Sequence, residues 1–146
     1  MIVTIKNFSQ CSLYRKFIIE SKINIDRIKN HSSSFEAQLV QSNHEVSSGI
    51  HMEAAYGHTP GNVIIHVESN EDHAILCGDT IHHPVQLARP EWSTNFCTDP
   101  DRSRETRMAF LNDYADTQTV IFPAHFQAPD YGRIERDGKS YRFPGQ

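Results

Sequence analysis

The sequence contains no run of about 18 apolar residues, which leaves no candidate for a membrane-spanning helix. It contains no CxxC pair. Its cysteines, Cys11, Cys77 and Cys97, are odd in number, so they read as free thiols of a reducing cytoplasm, with a periplasmic form that has lost its signal as the alternative. The opening Met1-Ile2-Val3-Thr4-Ile5-Lys6 lacks the basic start, long apolar stretch and small-residue cleavage site of a secretory signal. An excess of positive charge is missing too. The formal net charge is -4, which argues against general nucleic-acid binding.

What is present suits one folded domain. The chain has 146 residues, 38% of them hydrophobic and 10% aromatic, enough for one modest core and too much for wholesale disorder. Charge is unevenly spread: residues 1–30 sum to +4 and residues 31–146 to -8. This divides a basic N-terminal segment, 1–34, from a domain over 35–146. The basic segment keeps one small nucleic-acid-binding reading open, testable by salt dependence. Nine histidines are more than packing alone needs and direct attention to metal chemistry.

Within 1–30, Leu13, Tyr14, Phe17, Ile18, Ile25 and Ile28 roughly follow a helical spacing, while Ile18-Ile19 and Ile23-x-Ile25 also fit a strand. Asn30 to Ser34 read as a polar linker, and residues 35–49 are polar and weakly patterned. From Ile50 the signals sharpen. Ile50, Met52 and Ala54 alternate with His51 and Glu53, as in a half-buried strand. Gly57 to Asn62 form a loop. The β-branched run Val63-Ile64-Ile65-His66-Val67, the turn at 69–72 and the run His73 to Cys77 predict a hairpin. A long loop with Pro84, Pro90 and Pro100 follows, with room for one short helical turn. Asp99-Pro100 opens a helix to Tyr114 or Ala115, because Asp caps free amides and Pro suits the first turn; Met108, Leu111 and Ala115 are its expected inner face. Thr119 to Phe122 is a short buried strand. Asp137-Gly138 between two β-type runs predicts a second hairpin. The order implies a mixed α/β (α+β) layered domain.

Three metal-type side chains sit directly after β runs. His58 follows the strand at 50–54, Asp79 the strand at 73–77 and His125 the strand at 119–122. If those strands share a sheet, the three converge at one end, and two imidazoles with a carboxylate suit Zn, Fe or Mn. Taken singly, His58 fits a turn residue, Asp79 a strand-end cap and His125 a packed core histidine.

Gly57-His58-Thr59-Pro60-Gly61, Gly78-Asp79-Thr80-Ile81-His82 and Phe122-Pro123-Ala124-His125-Phe126 resemble, in order and separation, the last three metal-ligand motifs of the metallo-β-lactamase-fold hydrolases. The lactonase and organophosphate-hydrolase-like branch shows the same GDxxH and a closing GxIxxxGxxYRF stretch, here Gly132 to Phe143. The resemblance covers about residues 45–143 and implies half of an αββα sandwich, its C-terminal half, with a mixed sheet and at least one flanking helix. It also implies two zinc ions: His58 on the first, Asp79 bridging both, His125 on the second, with water activated between them. His82 would face the substrate or support a ligand; His83 and Gln86 are weaker candidates for such a role. The implied activity is hydrolysis of an ester, lactone or phosphoester in a small-molecule substrate; the cysteines, hydropathy and net charge add the expectation of a cytoplasmic protein with no membrane or nucleic-acid partner.

The HxHxDH motif that supplies the other ligands in that group is absent from the 146 residues, and Asn62 stands where a histidine is usual. His31, His44 or His51 would have to stand in for the missing ligands. A chain with the second half of a site alone is expected to be truncated or split and inactive or weakly active. It would need a homo-oligomer or a complementing chain to close the site, or else serve as a non-catalytic remnant or interaction module of the same fold.

Overall fold

A computed structural model describes residues 2–6, 36–127 and 130–144. The readings made for residues 7–35, including the helix-or-strand segment, the linker, Cys11 and His31, lie outside those residues. Strand β1 (Ile2–Lys6) pairs antiparallel with β2 (Glu36–Val40) in a two-stranded sheet.

The main sheet has five strands in the order β3 (Glu45–Ser47), β4 (Ile50–Ala54), β5 (Val63–Ser69), β6 (Asp72–Gly78), β7 (Val120–Pro123). The first four form an antiparallel meander. Asn70 turns the β5–β6 hairpin with φ 54°, a left-handed conformation that Asn tolerates well. Between β6 and β7 the chain makes a one-turn helix α1 (Val85–Ala88) and the long helix α2 (Pro100–Tyr114), and so returns parallel to β6. Asp99 caps α2 by accepting from the Arg102 N–H at 3.0 Å, and Pro100 occupies the first turn. A small sheet of β8 (Glu135–Asp137) and β9 (Ser140–Arg142) turns at Gly138, φ 62°. It is strapped to β7 where Ile121 and Gly132 exchange backbone hydrogen bonds of 2.7 and 3.1 Å.

The strand period sorts the residues. Ile64, Ile75, Cys77 and Ile121 face α2 and pack with Phe110, Leu111, Ile134, Tyr141 and Phe143 in the main core. Val40, Met52 and Ile65 form a smaller cluster, with Ile50, Val63 and Leu76 packed on it. The alternation read in β4 is present: Met52 is buried in the small cluster, while His51 and Glu53 lie opposite His66 and Ile64 on the helix-covered face. One expectation is corrected here. In α2 the buried residues are Ser103, Arg107, Phe110 and Leu111, whereas Met108 is exposed. Arg107 takes the inward position because the loop before the helix presents carbonyls for it to bind.

Two more strands, β2 and β3, occupy the weakly patterned stretch 35–49. Among the described residues no helix is long and apolar enough to cross a membrane.

Candidate metal centre

Strand direction decides where the three loops meet. β4 and β6 both run antiparallel to β5, hence parallel to each other, and β7 runs parallel to β6. The C-terminal ends of β4, β6 and β7 therefore lie at one edge of the sheet, and His58, Asp79 and His125 leave from that edge. Asp79 is buried and central. Its Oδ2 lies 3.4 Å from His58 Nε2, and its Oδ1 lies 2.6 Å from His125 Nε2. The two histidines read from the sequence thus approach different oxygens of one carboxylate.

His82 joins them. Its Nε2 is 3.9 Å from Asp79 Oδ1, and its ring is stacked 5.4 Å from that of His125 and tilted 4.6 Å from that of His58. Donor atoms of His58, Asp79 and His82 all lie within 4.8 Å of one another, a spacing one cation spans. His82 Nδ1 is buried without a hydrogen-bond partner. Burial foremost, then the nearby His58, pushes the His82 imidazole down to about 4, so it stays a neutral nitrogen donor at physiological pH. A neutral imidazole with a lone pair, a buried carboxylate and an orphaned ring nitrogen make a donor set that fits a divalent ion.

The surrounding loop is pinned from outside. Gln86 accepts from the His82 N–H at 2.7 Å and donates to Trp92 O at 2.9 Å. Arg107, wholly buried, donates through Nε to Pro90 O at 2.9 Å and through Nη2 to Trp92 O at 2.6 Å. Gln86 therefore holds the loop and leaves the cluster to others. His83 is exposed and accepts from the Val85 N–H at the start of α1. His44 and His51 stand outside the cluster; His51 stacks on His66 with ring centroids 4.4 Å apart. The GDxxH spacing pointed to His82. Nothing local pointed to Arg107 or to Cys97, whose Sγ lies 3.8 Å from His58 Nδ1.

The chain is thus a helix-backed mixed sheet with histidines and an aspartate gathered at its strand ends. The chain carries part of the metallo-β-lactamase fold. Residues covering 73% of the chain superpose on 36% of AidC, a dizinc quorum-quenching lactonase, with TM-score 0.67 and 25% identity. The match to AbOPH, a hydrolase of the beta-lactamase superfamily, covers 68% of this chain and 35% of that one, with TM-score 0.63 and 29% identity. A probable metal-dependent hydrolase from Staphylococcus aureus matches 75% of this chain and 40% of its own, with TM-score 0.57 and 23% identity. The chain thus spans well under half the length of these structures. No protein-family profile and no curated protein matches it.

Proposed function

We propose that the chain supplies the His58, Asp79, His82 and His125 portion of the metal site of a hydrolase acting on an ester, lactone or phosphoester of a small molecule. The convergence of three loops on the two oxygens of Asp79 carries this reading. Asp79 and the three histidines would hold the ions, with His58 beside Oδ2 and His82 and His125 beside Oδ1. Zinc is the expected ion, since imidazole and carboxylate suit it. Cations held there supply Lewis-acid polarisation of the substrate oxygen and acidify a coordinated water.

The remaining ligands come from elsewhere, because the HxHxDH segment is not in these 146 residues. A complementing chain that carries such a segment, or other side chains of a second copy, is the source we propose. The same gap supports a second reading, a non-catalytic interaction module that retains the fold. Cys77 and Cys97 are free thiols, which suits a reducing, cytoplasmic compartment.

Metal analysis of the purified full chain and of Asp79→Ala separates the readings. Near two equivalents of zinc, lost in the variant, supports the hydrolase site. Less than about a tenth of an equivalent in both supports the module, since a structural fold member has no need of bound metal.

A further inference from the structure

His58 has two ring nitrogens, and only one faces Asp79. A neutral imidazole carries one proton, and a cation needs the lone pair of the inward Nε2. The proton must then sit on Nδ1 and find an acceptor there. Nδ1 lies 3.8 Å from Cys97 Sγ, a contact of hydrogen-bond length for sulfur.

The sulfur is itself held. Its S–H donates to Ser103 Oγ at 3.5 Å, and Thr94 Oγ1 lies 3.5 Å away. Ser103 is buried on the first turn of α2. The same stretch grips the loop through its backbone: Thr98 N–H donates to His58 O at 2.8 Å, and Asp99 N–H to Gly57 O at 2.9 Å. Asp99 in turn caps α2. One segment, 97–103, thus fixes the His58 main chain, touches its outer nitrogen and anchors the sulfur to the helix.

We infer that Cys97 is a positioning residue that holds His58 in the Nδ1–H tautomer with Nε2 aimed at the cation. The inference rests on the reading of His58 as a metal ligand. Cys97 acts through the imidazole, as outer partners of ligating histidines do, and losing such a partner weakens metal binding roughly 10–100-fold.

The test uses the full chain and Co(II) alone, with affinity measured by competition against a chromophoric chelator. Cys97→Val, which keeps the bulk and removes the acceptor, is expected to weaken binding about 10–100-fold, and Cys97→Ser to stay within about threefold of the parent. Nitrogen-15 spectra of metal-free Asp79→Ala, in which no carboxylate faces Nε2, should show the Nδ1–H tautomer of His58 with Cys97 or Cys97→Ser present and a mixture once Cys97→Val is added. Unchanged affinity and tautomer in Cys97→Val overturn the inference, provided Asp79→Ala abolishes binding. A sulfur-to-cobalt charge-transfer band in the parent overturns it as well, because Cys97 would then be a ligand. Full affinity in Asp79→Ala instead sinks the metal reading itself, and the tautomer spectra still decide whether Cys97 orients the ring.

Discussion

Gly57 is where the fold and the candidate site are joined most tightly. Its φ is +125°, a backbone state that side chains rarely adopt, and a Cβ there would stand 2.2 Å from Ser103 N and 2.4 Å from Ser103 Cα. Those atoms are helix backbone and cannot rotate away. Strain at such a φ costs about 1–3 kcal/mol, and forcing extra volume into a packed contact costs about 1–3 more. Gly57→Ala is therefore expected to lower stability by about 2–6 kcal/mol, a shift in thermal midpoint on the order of 10 °C for a domain of this size. Gly138→Ala is the control. Its φ of +62° is also positive, but a Cβ there meets nothing within 4 Å, so strain alone applies, about 1–2 kcal/mol. Urea unfolding followed by circular dichroism gives both values. Should Gly57→Ala lose less than about 1 kcal/mol, or no more than Gly138→Ala, the close approach of α2 to the His58 loop is wrong.

Arg107→Met should destabilise by about 2–4 kcal/mol, because it strips a donor from the carbonyls of Pro90 and Trp92 inside the fold. Chymotrypsin should then cut faster at Trp92 and Phe96, both exposed on that loop; an unchanged cleavage rate would count against the pinning role. Acid sensitivity follows from His66, which lies between His51 and His73 and is held below its ordinary value first by burial and then by the His51 charge. The unfolded chain takes up that proton near pH 6.5 and the folded chain only lower, so stability present above about 6.5 is lost as the pH falls through the folded value. His82, pushed down to about 4, adds to the loss in the same direction. The unfolding midpoint should drop between pH 7.5 and pH 5, and the drop should shrink in His66→Gln; identical pH profiles for the two proteins would refute the assignment.

Local chemistry made part of this legible in the sequence. The β-branched run at Val63, the Asp99-Pro100 helix start and the Asp137-Gly138 turn each carry their own signal, and each element is where that signal places it. β3 is three residues at the sheet edge, and so short a strand leaves no period to read. Spacing alone places Met108 on the inward face of α2, because an arginine is expected outside unless its partners are known, and those partners come from a loop many residues earlier. The candidate site divides the same way. His58, Asp79 and His125 are each announced by the strand before them, and GDxxH marks His82. That β4, β6 and β7 end at one edge is a matter of strand direction, which no spacing encodes. Cys97 is close to His58 only through the turn that starts α2, so the contact is invisible until the chain is folded.

The Asp79 cluster reaches from residue 58 to residue 125 and touches three of the five strands of the main sheet. No local fragment can assemble it; the α2 crossover and the last parallel strand must both be in place. A cation bound there would act as a clasp on the finished fold, adding RT ln(1 + [M]/Kd), or about 2.7 kcal/mol at a hundredfold excess over Kd. Loading and folding would then be one event, and a melting curve run with and without chelator would register both.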